Sequence, residues 1–145
     1  MQVRGSAPSR RQGTTLIELL AILAILATLS ALSLASLRHV LHSASLRSAT
    51  AEVGRAFATA RGLALATGGA SVHLSATSVQ VRAGGSVRLE RQLGTLYGVT
   101  LHASRDSMAY SATGMGFGAA NLRVVVRLGA LADTLTVSRL GRVRY

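Results

Sequence analysis

The feature that most restricts how this chain can fold is a stretch of nineteen residues without a charge, Leu19–Leu37, composed mostly of Leu, Ala and Ile. A helix rises about 1.5 Å per residue, so a helix of this length approaches the roughly 30 Å hydrocarbon core of a bilayer. A leader with three arginines precedes the stretch, and Glu18 is the only charged residue between that leader and Arg38. A carboxylate at the mouth of a membrane segment is costly to insert, which makes Glu18 a candidate functional residue.

The junction between the leader and the apolar stretch has the sequence Gly13-Thr14-Thr15-Leu16-Ile17-Glu18. It resembles the processing signal of type IV pilins and type II secretion pseudopilins, in which Phe or Met usually stands where this chain has Thr14. The resemblance implies that a prepilin peptidase cleaves after Gly13 and leaves Thr14 as an N-methylated terminus. It also implies that Glu18 pairs with the terminal ammonium of a neighbouring subunit as a filament assembles. Such opposite charges attract strongly in a low dielectric.

Three other interpretations of this stretch are open. An ordinary secretory signal would use Ser33-Leu34-Ala35 as its cleavage site, but Glu18 and the length of the apolar run argue against it. A twin-arginine signal would start at Arg10-Arg11, but a polar Gly-Thr-Thr follows where apolar residues are expected. A plain membrane anchor explains the hydropathy and leaves Gly13 and Glu18 unexplained.

These features predict three parts: a leader peptide at 1–13, a transmembrane helix at 14–37, and a pilin-like domain at 38–145 that is helical to about residue 67 and then β-sheet. The arginines of the leader fit the positive-inside rule, so the N-terminus is expected in the cytoplasm and the domain in the periplasm. The protein is therefore expected to cross the bacterial inner membrane once and to be associated with a filament. Because the chain has no cysteine, disulfides cannot stabilise the domain.

The charge balance indicates a polyanionic or anionic-lipid partner. The chain has 16 Arg, no Lys and five acidic residues, for a net charge of +11. Removing the three leader arginines leaves 11 − 3, or +8. A balance of this sign suits both kinds of partner and does not choose between them.

The pattern after the apolar stretch predicts an α+β fold, with a long N-terminal helix packed on a small antiparallel β domain. Helical spacing continues from His39 to about Ala66, and Gly68-Gly69 is expected to end the helix. The residues at that spacing are Val40, Ala44, Val53, Phe57, Ala60 and Ala64. A period of two then predicts strands. The first strand is expected around Val72 and Leu74. Strands at 78–82 and 86–90 are expected on either side of a turn at Ala83-Gly84-Gly85. Further strands are expected around Val99 and Leu101, at 122–128 and at 134–138.

Two groups of residues narrow the resemblance to the GspH/FimT-type subfamily of pilin-like proteins. The first group consists of Ala60-Arg61, Ala64, Ala66, Gly69 and Val72, and the second of Gly114, Gly116, Phe117, Gly118 and the ending 137–144. Members of this subfamily are minor pseudopilins of type II secretion or minor pilins of type IV pili. Some of the minor pilins bind DNA during natural transformation through a G-R-x-R ending.

That ending is present as Gly141-Arg142-Val143-Arg144. In an extended strand Arg142 and Arg144 share one face, with Val143 and Tyr145 on the other. Further charge comes from Arg123 and Arg127 on a neighbouring strand and from Arg139. These five arginines suffice to track phosphates without reading sequence. The alternatives are a sheet edge protected by charge and a contact with acidic residues of a neighbouring subunit.

No catalysis, cofactor or metal is expected. No nucleophile-elbow or metal-ligand spacing occurs, and Gly114-x-Gly116-x-Gly118 precedes a strand rather than a helix, unlike a dinucleotide-binding loop. His39 and His42 lie one turn apart and are interpreted as solvent-facing or interfacial, while His73 and His102 are interpreted as surface residues.

Two functions from different classes remain. One is a structural assembly subunit, a minor pilin or pseudopilin with prepilin peptidase and other pilins as partners. The other is a pilus-borne DNA receptor.

Overall fold

The structure is a computed structural model, and it describes residues 15–117 and 121–145 without the side chains of 32–36. The expected cleavage residues Gly13 and Thr14, and Gly118 of the glycine-rich segment, lie outside the described residues. The chain divides into two compact units, one ending at Arg38 and the other covering His39–Tyr145.

The helix α1 covers Leu16–Thr67. Thr15 caps its start, because the Glu18 backbone N–H donates to Thr15 Oγ1 at 3.3 Å and the Leu19 N–H donates to the Thr15 carbonyl oxygen at 3.1 Å. In the first unit the large apolar side chains that the structure describes are exposed, Leu16 to 77%. Within the described part of the chain, no helix combines the length and the hydropathy needed to cross a membrane.

In the second unit α1 contributes one stripe of small and apolar residues to the core. The buried members are Leu46, Ala49, Thr50, Val53, Ala56, Phe57, Ala60 and Ala64. The expectation that this stripe begins at Val40 and Ala44 is wrong, since both are exposed, Val40 to 59%. Helical spacing alone does not tell where a helix first meets its domain. The expected end is confirmed: Gly68 has φ +86°, and its N–H donates to the Ala64 carbonyl oxygen at 3.0 Å.

In the described residues after α1 there are eight strands and one short helix. They are β1 Gly69–Leu74, β2 Ser78–Ala83, β3 Ser86–Gln92, α2 Leu93–Tyr97, β4 Thr100–Ala103, β5 Ser107–Ser111, β6 Leu122–Leu128, β7 Leu131–Val137 and β8 Val143–Arg144. They form two antiparallel sheets of four strands, β3-β2-β1-β5 and β4-β6-β7-β8. The expected α+β class is confirmed, with two sheets rather than one.

The sequence located most strands and missed those with weak local signals. The β2–β3 hairpin is confirmed, and its turn residues Gly84 and Gly85 both have positive φ, as a two-residue hairpin turn requires. Another two-residue turn, at Gly129 and Ala130, lets β7 begin at Leu131, three residues before the expected start. Neither β5 nor α2 was predicted, because β5 has no β-branched residue and the five residues of α2 are too few to show a helical period.

The inner faces of both sheets share one core with α1. Alternation places Val72 of β1, Val124 of β6 and Leu135 of β7 in that core with almost no exposure. Burying each such side chain stabilises the fold by about 1.5–3 kcal/mol. The opposite faces of the strands are left to solvent, and the second sheet carries its arginines there.

Candidate functional site

Strand alternation exposes two of the five candidate arginines on the outer face of the second sheet. In β6 the residues Leu122, Val124 and Val126 are buried, so Arg123 and Arg127 point outward and are exposed. They lie four residues apart, which corresponds to about 13 Å along a strand.

The strand register brings Arg123 into a row with Arg144. Arg123 pairs with Thr136 of β7, and Thr136 pairs with Arg144 of β8. Neighbouring strands lie about 4.8 Å apart, so the two arginine backbones are separated by about 10 Å. The expectation that Arg123 and Arg127 lie on the strand next to the C-terminal one is wrong, because β7 runs between β6 and β8.

The C-terminal arginines are held by a tight turn at 138–142. The Ser138 N–H donates to the Arg142 carbonyl oxygen at 2.9 Å, and the Arg142 N–H donates to Ser138 Oγ at 3.1 Å. Gly141 has φ +73° and donates to the Ser138 carbonyl oxygen at 2.8 Å. Only glycine adopts this backbone conformation without cost. Arg139 is exposed within the turn, and β8 follows it at the sheet edge.

A concave surface, here called the C-terminal groove, lies beside β7 and β8 and has a volume of about 540 Å³. It is lined by Asn121, Thr134, Thr136, Ser138, Leu140, Arg142, Arg144 and Tyr145. Arg142 and Arg144 thus both line the groove, although Arg142 lies just before β8. Tyr145 was expected on the opposite face but lines the same groove, because β8 ends at Arg144 and strand alternation stops there.

Arg61 of α1 lies where two glycine turns meet the helix. Its Nε donates to the Gly114 carbonyl oxygen at 3.2 Å. At Gly141 a Cβ atom would lie 2.7 Å from Arg61 Cδ and 3.3 Å from Tyr110 Cε1. A hydrogen bond of 2.8 Å from the Gly116 N–H to the Arg139 carbonyl oxygen joins the two turns. The sequence assigned Arg61 to a family motif but gave no sign of this junction, because its partners are distant in the chain.

Tyr110 is the buried titratable residue at this junction. Its side chain is 2% exposed, and its hydroxyl has no hydrogen-bond partner within the described residues. Burial raises the pKa of Tyr110 to about 12, although the positive charge of Arg61 opposes part of the rise.

The hydroxyl end of Tyr145 packs against Gly54 of α1. A Cβ atom at Gly54 would overlap Tyr145 Oη and would lie 3.2 Å from Tyr145 Cζ. Gly54 is buried, while Tyr145 as a whole is 73% exposed. The glycine therefore leaves room for the hydroxyl end of a ring that otherwise faces solvent.

Glu18 is exposed and lies in the first turn of α1. It stands three residues after the capping Thr15, the position of the acidic residue in a capping box. There a carboxylate also interacts favourably with the helix dipole. The Thr-x-x-Glu spacing was visible in the sequence as a helix-start signal that the assembly interpretation did not use.

The four histidines are exposed, in agreement with their interpretation as surface residues. Within residues 15–117 and 121–145, no group of three or more His, Asp or Glu side chains is arranged to hold a metal ion.

Comparison with known proteins gives a structural likeness only. No family model matches the chain, and no curated protein sequence matches it. The structure is similar to crystal structures of the type IV minor pilin FimU of Pseudomonas aeruginosa in two crystal forms, with TM-scores of 0.57 and 0.55 at 16% sequence identity. The likeness covers 68% of this chain and 86% or 90% of the FimU chain. The fold is therefore pilin-like.

Proposed function

We propose that this protein is a minor subunit of a type IV pilus or of a related type II secretion pseudopilus, with a structural and non-catalytic role. The observation that carries the proposal is the likeness of its fold to a type IV minor pilin. The GspH/FimT-type motifs in the sequence are consistent with either filament.

The first part of α1 supports an assembly role. Large apolar side chains between Leu16 and Leu29 are exposed on the described helix. Leaving apolar surface in water costs about 25 cal/mol per Å², so this segment is stabilised by lipid or by the apolar helices of other subunits. The proposed single-pass anchor in the inner membrane rests on the sequence of Leu19–Leu37, which includes residues 32–36.

Glu18 is proposed to guide assembly. After cleavage behind Gly13, the new ammonium would stand on Thr14, next to the capping Thr15. The carboxylate of one subunit would then pair with the ammonium of its neighbour, and each charge would offset the desolvation of the other.

The proposal is tested by the N-terminus of the protein extracted from membranes. Mass spectrometry is expected to find Thr14 first, with N-methylation as an added mass, when a prepilin peptidase is present. Gly13→Leu should abolish the cleavage, whereas Gly5→Leu, a matched change within the leader, should not. A mature N-terminus at Ser36 would mean ordinary secretory processing and would overturn the proposal.

A second candidate function is DNA binding by a pilus-borne minor pilin during natural transformation. The observation in its favour is the row of Arg123, Thr136 and Arg144 across three strands, beside a groove that Arg142 also lines. Such a surface suits phosphates, and binding to duplexes of unrelated sequence should weaken steeply with salt. The competing roles are protection of the β8 edge and contact with an acidic subunit. The absence of measurable binding at low salt would leave these two.

A further inference from the structure

The lining of the C-terminal groove indicates which form of nucleic acid it fits. We propose that the groove binds a single-stranded polynucleotide, with an unpaired base stacked on Tyr145 and with Arg142 and Arg144 on the flanking phosphates. This inference rests on the second candidate function. It goes further because it names the ligand as an unpaired strand and assigns roles to Tyr145 and Gly54.

The size and shape of the groove favour an unpaired strand. Its volume of about 540 Å³ falls within the range of about 300–1,000 Å³ for pockets that enclose small ligands. A duplex is a wide cylinder that touches a concave site of this size only at its rim. A single strand is narrow, and its bases are free to turn into the groove.

The chemistry of the lining matches a nucleotide. Arg142 and Arg144 supply positive charge, and no acidic residue lines the groove. Hydroxyl groups of Thr134, Thr136 and Ser138 and the amide of Asn121 can bond to sugar and base edges. Leu140 and Tyr145 supply the apolar surfaces. A basic track combined with an aromatic platform is the usual arrangement in proteins that bind single strands.

Tyr145 has the features of a fixed platform. Most of its surface is exposed, at 73%, yet its hydroxyl end rests against Gly54 of α1. A ring that is already held at one edge loses little conformational freedom when a base stacks on it. The contact of Tyr145 with Gly54 therefore favours binding. Gly54 thus acts as a positioning residue for Tyr145.

The experiment measures binding of the full-length chain, purified in a neutral detergent, to fluorescent oligonucleotides. The probes are unstructured single strands of thymidine or uridine nucleotides, about 12 residues long, and a duplex of similar length. Tyr145→Ser should weaken single-strand binding roughly 5- to 150-fold, and Tyr145→Phe should retain it, since the ring provides the stacking. Duplex binding should change much less in both variants. The two single-strand probes show whether DNA and RNA are bound alike.

Two glycine variants test the positioning role without replacing any residue that lines the groove. In Gly54→Ala the new Cβ displaces the Tyr145 hydroxyl, so single-strand binding should fall as in Tyr145→Ser. Helix stability should not fall, because alanine has the higher helix propensity. Gly62→Ala is the matched control on α1, where nothing lies within 4 Å of the added Cβ, and it should bind like the parent.

The outcomes separate the inference from the function on which it rests. Tighter binding of the single strand, lost in Tyr145→Ser and in Gly54→Ala, would support the inference. Equal binding of duplex and single strand, unaffected by either variant, would overturn it and leave DNA binding in place. The absence of binding to all probes at low salt would overturn both.

Discussion

Arg61 Nε donates a hydrogen bond of 3.2 Å to the carbonyl oxygen of Gly114, which joins α1 to a turn 53 residues further along the chain. The same side chain packs against Gly141, at the turn that precedes β8. Arg61 therefore contacts both turns, and the position of the C-terminal arginines depends on it.

Replacing Gly141 tests this junction. Gly141→Ala should lower the free energy of unfolding by about 1–3 kcal/mol, because φ +73° strains an alanine and its Cβ would press on Arg61. Gly129→Ala is the matched control, since φ is +58° there and nothing lies within 4 Å of the added Cβ. Denaturant unfolding of both variants measures the difference. Equal losses would mean that the contact with Arg61 has no effect beyond backbone strain.

Tyr110 should make the fold sensitive to alkali. With its pKa raised to about 12 in the folded state and near 10 when unfolded, the unfolded chain loses this proton first as pH rises. The contribution to stability is thus constant below pH 10 and falls by about 1.4 kcal/mol per pH unit between 10 and 12.

Tyr110→Phe should remove that alkaline loss. At neutral pH it should also raise stability by about 1 kcal/mol, because it removes a buried hydroxyl without a partner in the described structure. Unfolding free energies from pH 7 to 12 provide the measurement, with Tyr145→Phe as the control at an exposed ring. The explanation fails if Tyr110→Phe shows the same decline above pH 10 as the parent.

Glu18 has two possible roles that a change of charge separates. Glu18→Gln keeps a side chain suited to the capping box but removes the charge, so membrane insertion should persist while assembly decreases. Crosslinking to other pilin subunits is the measurement. Thr15→Ala, which removes the cap and retains the carboxylate, is the complementary variant. If Glu18→Gln is incorporated as well as the parent and only Thr15→Ala is impaired, the role of this turn is helix capping.

The two C-terminal arginines, Arg142 and Arg144, should govern the salt dependence of duplex binding. Arg144→Ala and Arg142→Ala should each reduce the log–log slope by up to about 0.9, the value for one phosphate contact. Arg142→Lys should retain part of the binding, because the charge remains and the planar fork is lost. Arg88→Ala on β3 is the control for net charge, since Arg88 is exposed on the other sheet. An equal effect of Arg88→Ala would indicate diffuse attraction and count against a dedicated site.

Local signals account for the parts of the fold that were predicted. The end of α1 and the β2–β3 hairpin depend on glycines whose backbone requirement lies within a few residues, and the strong alternation of β6 identifies its buried face. In contrast, β5 is short and lacks β-branched residues, and it is a strand only because β1 pairs with it. Within the second unit, the first buried residue of α1 is Leu46, and this too is set by where the sheets lie.

The candidate site likewise has some features that local sequence predicts and others that it does not. Strand periodicity predicted that Arg142 and Arg144 lie close together, and both line the C-terminal groove. Tyr145 packs on Gly54, and Arg61 contacts Gly114 and Gly141. In each case the contacting residues are far apart in the chain. No pattern of neighbours in the sequence encodes them.

The close approach of Arg61 to two glycine turns also has a consequence for how the sequence can evolve. A side chain at Gly141 would need the space that Arg61 Cδ occupies, and one at Gly114 would lie 3.3 Å from Arg61 Nε. A smaller residue at 61 would leave the Gly114 carbonyl oxygen without this donor. It would not free either glycine, because Leu65 Cδ2 lies 3.2 Å from a Cβ at Gly114 and φ is +72° and +73° at the two positions. In homologous chains an arginine at 61 should therefore occur together with both glycines, whereas the glycines should be kept where residue 61 differs.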